Sequence, residues 1–305
     1  MRRATPSAWS NDARMKRTTP SRTFVLLAAA CVGSASFLVR PAHGLAGGVV
    51  IVAVDSSGKA NVTGGAAGAD ITVTWDGVTG AYTITGGSGT TINGAAAVAV
   101  TGVRSFVVTM GDADDQVVFD HTPIPGNLNV HLGDGDDSVD LVGVTVRGGT
   151  KLFGQAGIDA ITVRDQSDLK KSVAIKGGGG DDTIIVKNTN LHGYVRIIGG
   201  PNDDHITLNA IELDGNDDLA VLGHAGNDWL GIAESRFLQP VWVGMGAGSD
   251  LVTIDSSSFR ARVGLVGGGA DDLLTIGSSV HWSDSDATRI TEFEQGNGSG
   301  DWPPD

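Results

Sequence analysis

The sequence predicts an all-β chain, a right-handed parallel β-helix of about eight coils of ~22 residues with an N-terminal β cap. Three observations carry that expectation. An aspartate that follows a Gly-rich run recurs at near-constant spacing, and aliphatic residues recur with it at fixed offsets. The composition agrees: 46 glycines and only 5% aromatic residues suit neither a helical enzyme nor a disordered tail, while 40% hydrophobic residues suffice for a core.

The repeat aspartates are Asp115, Asp137, Asp159, Asp182, Asp204, Asp228, Asp250 and Asp272, with steps of 22, 22, 23, 22, 24, 22 and 22 residues. Two positions after each comes Val117, Val139, Ile161, Ile184, Ile206, Leu230, Val252 or Leu274, and four positions after it Phe119, Leu141, Val163, Val186, Leu208, Ile232, Ile254 or Ile276. The residue between them is often polar, as at Asp140, Thr162, Thr207 and Thr253, which is the period-two alternation of a strand with one buried face. A second apolar position falls nine residues on, at Ile124, Val146, Leu191, Leu213, Phe237 and Phe259, and a third apolar pair closes each unit, as Val195/Ile197 or Val241/Val243.

Three such short strands cannot bury their apolar sides alone. Stacking equivalent strands about 4.8 Å apart makes parallel sheets around one continuous core. Parallel crossovers are almost always right-handed, hence the expected hand. Eight coils would make a rod of roughly 35 to 40 Å.

Residues 106–290 are expected to hold the helix. Residues 45–105 read as a cap of hairpins, with strand-like Val49 to Val54, Ile71 to Trp75, Tyr82 to Thr85 and Val98 to Val103 and turns at Asp55-Ser56-Ser57-Gly58 and Gly86-Gly87. Such a cap would cover a strand edge that otherwise invites aggregation. Residues 291–305 read as a C-terminal tail, in which Thr291-Glu292-Phe293 adds a last strand.

Residues 1–44 read as a secretory signal peptide. Lys16, Arg17 and Arg22 precede an apolar run from Phe24 to Val39 that ends near Ala42-His43-Gly44, and Met15 would itself make a normal start. The run is shorter than the roughly 20 residues that span a bilayer, so no transmembrane segment is expected. An alternative reads Leu27 to Cys31 as a lipobox, with Cys31 lipid-anchored. Either way the chain is expected to be secreted or held at the cell surface.

Without residues 1–44 the chain carries 14 basic against 34 acidic residues, a net charge of −20, so nucleic acid and anionic lipid are poor partners. Cys31, the only cysteine, lies in that segment, so no disulfide holds the turns.

The turns themselves carry a resemblance. Gly133-Asp134-Gly135-Asp136-Asp137-Ser138-Val139 and Gly177-Gly178-Gly179-Gly180-Asp181-Asp182-Thr183-Ile184 resemble the G-G-x-G-x-D-x-U-x nonapeptide of RTX (haemolysin-type) calcium-binding proteins. The resemblance implies Ca²⁺ held by aspartate carboxylates and turn carbonyls between successive coils, at the eight aspartates above. The sequence departs from that family in having one turn per coil of about 22 residues rather than two per eighteen. Ala113, Asn202 and Ala270 replace one turn glycine, and Gln155 and His224 another, which weakens metal binding at those turns.

Independently of the family, stacking places like carboxylates in a row, doubled by Asp114, Asp136, Asp181, Asp203 and Asp271. Neighbouring charges at about 4.8 Å repel by about 1 kcal/mol even in water. A row of oxygen ligands suits Ca²⁺ better than softer metals. The competing reading is that each aspartate accepts hydrogen bonds from the N–H groups of its own turn, with glycine supplying positive φ.

Two function classes remain. One is a structural or adhesive surface protein that binds calcium, with flat faces that contact polysaccharide or surface proteins. The other is a carbohydrate-active enzyme of the polysaccharide lyase or hydrolase type. Coil lengths vary by two residues, which leaves little chain to wall a groove. Arg164 and Lys187 share a coil position that could face an acidic sugar, or they are ordinary solvated charges near Asp165 and Asp168. Trp229 and Trp242 offer stacking surfaces on different sides of one coil. Neither H-E-x-x-H nor a G-x-S-x-G elbow is present, and the many carboxylates leave a general acid/base pair open without placing one.

Overall fold

The computed structural model describes residues 47–283 and 288–295. The signal peptide expected at residues 1–44, Cys31 within it, and residues 296–305 of the expected tail lie outside them. Every regular element among the described residues is a strand, and none is a helix long and apolar enough to cross a membrane.

Each coil contributes three strands. A seven-residue strand such as Val173–Gly179 runs into the Gly/Asp turn, a second strand such as Ala160–Arg164 follows the turn, and a two- or three-residue strand such as Ser258–Phe259 follows a further bend. In Thr183–Leu191 and His205–Leu213 the second and third strands are continuous. Equivalent strands of successive coils pair in parallel, so the coils stack as three ladders.

The register matches the apolar offsets of the sequence. Val117, Val139, Ile161, Ile184, Ile206, Leu230, Val252 and Leu274 are aligned partners along the second ladder. Ile124, Val146, Leu169, Leu191, Leu213, Phe237, Phe259 and Trp282 align along the third. In the long-strand ladder the column Leu152, Ile175, Ile197, Val221, Val243, Leu265 faces inward. These columns form one buried apolar core, because strand side chains alternate and each ladder turns its aliphatic face to the axis.

The two longer coils place their extra residues at bends. One extra residue enters where Asp165 and Gln166 both adopt positive φ (59° and 65°), and two enter between Leu213 and Leu219. The strands on either side keep register, so the core columns are unbroken.

At the N-terminal end the cap strands join the same ladders. Lys59–Gly64 pairs in parallel with Ser105–Thr109, and Asp70–Asp76 with Gln116–Asp120, which makes a further partial coil. The sheets then change direction: Val49–Val54 is antiparallel to Lys59–Gly64, and Ala81–Gly86 is antiparallel to both Asp70–Asp76 and Ala97–Thr101. Asp55 builds the first hairpin turn by accepting the Ser57 N–H at 2.9 Å, with Gly58 at φ 80°. Trp75, Tyr82, Phe106 and Phe119 pack in series with ring centroids 4.5, 5.1 and 5.3 Å apart, joining cap and coils through one core. At the other end Thr288–Thr291 pairs with Val263–Val266, and Glu294–Gln295 with Leu273–Leu274.

Candidate functional site: the stacked carboxylate turns

The turn between the long strand and the second strand bends twice through left-handed backbone. Counting back from the aspartate, the fourth position is Gly133, Gly178, Gly200, Gly246 or Gly268 (φ 112° to 144°), and the second is Gly135, Gly157, Gly180, Gly226 or Gly248 (φ 120° to 138°). A Cβ on any of these glycines would lie within about 3 Å of the neighbouring coil's backbone, as at Gly178, where it would sit 1.9 Å from the Gln155 carbonyl oxygen. Gln155, His224, Asn202 and Ala270 occupy the same positions at lower φ, 93°, 91°, 82° and 78°. The turns at these four residues keep the bend with strained backbone, whereas in the Asp115 turn neither Gly111 nor Ala113 adopts positive φ.

The repeat aspartates face inward. All eight are 1–3% exposed. Stacking along one edge follows the expectation from the spacing, whereas a solvent-facing ridge of these eight carboxylates does not occur. At Asp115, Asp137 and Asp250 the inward position five residues earlier holds Met110, Leu132 and Met245; at the other five a second glycine pattern makes room. Gly154, Gly177, Gly199, Gly223 and Gly267 stand five residues before their aspartates at inward strand positions, and the aspartate Oδ2 lies 2.1–2.5 Å from where their Cβ would be. The carboxylate fills the space of the missing side chain.

Each inner carboxylate joins two coils. Asp137 Oδ1 accepts the Asp115 N–H at 2.7 Å, Asp159 accepts from Asp137 at 2.9 Å, Asp182 from Asp159 at 2.8 Å, and Asp204 from Asp182 at 2.8 Å. The series continues through Asp228, Asp250 and Asp272 at 2.9, 2.7 and 2.9 Å. At the N-terminal end Ala69, in the partial coil, gives its N–H to Asp115 Oδ1 at 2.6 Å. The donor thus belongs to the preceding coil. An own-turn bond of the kind expected for an Asx turn occurs at Asp115, whose Oδ2 accepts the Gly111 N–H at 3.1 Å.

The residue just before each inner aspartate forms an outer row with the opposite direction. Asp114 Oδ1 accepts the Asp136 N–H at 2.9 Å, Asp136 Oδ1 that of Ile158 at 2.8 Å, Asp181 Oδ1 that of Asp203 at 3.2 Å, and Asp203 Oδ1 that of Asn227 at 2.7 Å. Asn227 continues the row by accepting from Ser249 at 2.9 Å. Here the donor belongs to the following coil. Asp181, Asp203 and Asp271 are exposed, Asp114 and Asp136 half-buried. Ile158, Asn227 and Ser249 interrupt the row of charges.

Burial dominates the inner row's electrostatics. It pushes Asp137 and Asp204 up to about 8 and Asp115, Asp182 and Asp228 up to about 6, and it raises Asp250 as well. The accepted backbone N–H pulls each one down, and adjacent carboxylates push it up again. Oδ2 of Asp137, Asp182, Asp204, Asp228, Asp250 and Asp272 has no hydrogen-bond partner. At Asp137, Asp182, Asp204, Asp228 and Asp250 a buried oxygen without a donor favours the protonated acid.

For a hard cation the two rows differ. The inner oxygens are enclosed and Oδ1 is committed to a backbone amide. The outer row offers solvent-facing oxygen donors beside turn carbonyls, the ligand type that Ca²⁺ takes. Among the described residues no three His, Cys, Asp or Glu side chains converge on one point, so an ion at the outer row would complete its shell with turn carbonyls and water.

A hydroxyl ladder at the next bend was not anticipated. Ser167 Oγ accepts the Val144 N–H at 3.0 Å, Ser235 Oγ that of Ile211 at 3.2 Å, and Ser257 Oγ that of Ser235 at 3.1 Å. These serines are 0–3% exposed. The readable signal is Ser or Thr seven or eight residues after the aspartate, following a residue with positive φ such as Asn188, Glu234 or Ser256.

The other singled-out side chains are dispersed. Arg164 is held by Asp140, with Nη2 2.9 Å from Oδ2, and by Asp165. Asp168 pairs with Lys170 at 2.6 Å and with His192 at 2.8 Å. Lys187 lies on the outer face of the second ladder. Trp229 is stacked on His205 on that ladder, with centroids 4.0 Å apart, whereas Trp242 projects from the long-strand ladder.

The fold and its turns define a parallel β-solenoid joined by two rows of carboxylates. No family model matches the chain, and no curated protein or solved structure matches it.

Proposed function

We propose that this is a secreted or cell-surface repeat protein that binds calcium at its stacked Gly/Asp turns and has a structural or adhesive role. The observation that carries the reading is the outer row, where Asp114, Asp136, Asp181, Asp203 and Asp271 recur on one edge beside turns rich in backbone carbonyls. Asp114 with Asp136, and Asp181 with Asp203, stand on adjacent coils, where charges about 4.8 Å apart repel one another and a divalent cation relieves that repulsion. The export signal read from residues 1–44 places the chain where calcium is plentiful. Open extracellular sites of this kind bind with Kd of roughly 0.1–1 mM.

Titration calorimetry with CaCl₂ and MgCl₂ tests it. Wild-type protein should give saturable heat with calcium and a raised melting temperature, and the pair Asp181→Asn with Asp203→Asn should lose most of both. The Asn variants keep an oxygen that accepts the amide, so they separate loss of metal from loss of fold.

A second reading, a metal-free structural solenoid, is favoured by one specific observation: amide N–H groups of adjacent coils already engage Oδ1 in both rows. Absence of heat and of any thermal shift at millimolar calcium would select it.

A further inference from the structure

The outer face of the long-strand ladder has a pattern that the turns do not use. One column of aligned outward positions runs Lys151, Ala174, Arg196, Ala220, Trp242, Gly264, Arg289. Large cationic or aromatic side chains alternate with Ala or Gly, so they recur every second rung, about 9.5 Å apart. Lys151, Arg196, Trp242 and Arg289 are exposed, and no described ion pair involves any of the three bases. Lys176 stands on the rung between Lys151 and Arg196, one column over, its Nζ 5.4 Å from the Phe153 ring centroid.

The small residues have a visible effect. A Cβ on Gly264 would lie 2.3 Å from Trp242 Cε3 and 2.4 Å from Cζ3, so this edge of the indole packs over bare backbone, and Trp242 remains 49% exposed. An exposed indole beside cations at a regular spacing suits a ring with a charged substituent, where a hydrophobic sugar face stacks and the anion pairs. Charge complementarity is specific to this face. In a chain of net charge −14, the long strands from Leu128 to Gly269 carry one carboxylate, Asp134, at the end of its strand. The acidic turns are repelled by a polyanion, but charges more than a Debye length away, about 10 Å at 0.1 M salt, are largely screened.

We propose that this column is a binding track for an extended acidic polysaccharide, with Lys151, Lys176 and Arg196 pairing its charged groups and Trp242 stacking on a sugar ring. The track is independent of the calcium reading. A chelator present throughout keeps the two apart, because it removes any calcium bridge between polymer and outer aspartates.

Affinity electrophoresis in native gels that contain EDTA and polygalacturonate, dextran sulfate or neutral dextran tests the track. The protein should be retarded by at least one acidic polymer and not by neutral dextran. Retardation by polygalacturonate alone assigns carboxylate recognition, and by dextran sulfate alone sulfate recognition. The pair Lys151→Gln with Arg196→Gln should weaken binding about tenfold, and Trp242→Ala should weaken it too. Lys187→Gln, on the second ladder, should not, and melting curves confirm that each variant is folded. Absence of retardation in both acidic gels overturns the track. So does retardation that the Lys151/Arg196 pair or Trp242→Ala leaves unchanged, or equal retention by single-stranded DNA, which would reduce the interaction to charge alone.

Discussion

The carboxylate of Asp204 lies inside the solenoid and accepts the backbone N–H of Asp182, one coil earlier, at 2.8 Å, while its own N–H goes to Asp228 at 2.9 Å. One residue therefore makes a joint on both of its faces. Asp204→Ala removes the acceptor and leaves a buried N–H unsatisfied, at a cost of about 1–3 kcal/mol. Asp204→Asn keeps Oδ1 as acceptor and should cost less. Urea denaturation of the two variants checks the order.

The pH dependence follows from the inner row. Well below pH 3.8, Asp115, Asp137, Asp182, Asp204 and Asp228 are protonated in both folded and unfolded chains. As pH rises past 3.8 the unfolded chain loses its protons while the folded chain retains them, up to about 6 at Asp115, Asp182 and Asp228 and about 8 at Asp137 and Asp204. Stability is thus lost as pH rises through that window. His205, held low by burial, works the other way but is one group against five. In EDTA the melting temperature should be higher at pH 5 than at pH 8.5, as scanning calorimetry can measure.

Glycine at the turn is a steric requirement in some coils and not in others. Gly178→Ala places a Cβ 1.9 Å from the Gln155 carbonyl oxygen at φ 132° and should cost about 2–4 kcal/mol. Gln155→Gly, which relieves a side chain at φ 93°, should gain about 1 kcal/mol. Opposite signs in thermal melts are the expected result.

Phe237, Phe259 and Trp282 stack along the third ladder with centroids 4.9 and 4.7 Å apart. Phe259 is 1% exposed and sits between the other two. Phe259→Ala should cost about 3–5 kcal/mol, and Phe259→Leu clearly less. Loss of near-ultraviolet dichroism from Trp282 would accompany the first.

The architecture was legible because burial acts on period-two strands, and Val139, Leu141 and Val146 mark the inward positions of one coil while the same offsets mark the rest. The direction in which the aspartates face was not. A side chain at a turn can point either way, and in five of the eight coils a bare Cα such as that of Gly177 or Gly199 at an inward strand position makes room for the carboxylate, a signal read only as part of the glycine richness. The serine ladder escaped for a related reason: Ser167, Ser235 and Ser257 are polar residues at a bend, and only coordinates show that their hydroxyls receive amides from a neighbouring coil. The hairpins at the N-terminal end were expected. That Lys59–Gly64 and Asp70–Asp76 also extend the parallel ladders was not, because their spacing departs from the repeat.

The inner and outer rows run their bonds in opposite directions, so a coil such as the one holding Asp203 and Asp204 presents one acceptor and one donor to each neighbour. A duplicated cassette of one full period would find ready partners above and below, whereas an insertion of a few residues within a strand would break three ladders at once. Genes for such a protein can lengthen or shorten by whole units, and the antiparallel strands at the N-terminal end mark where that growth stops.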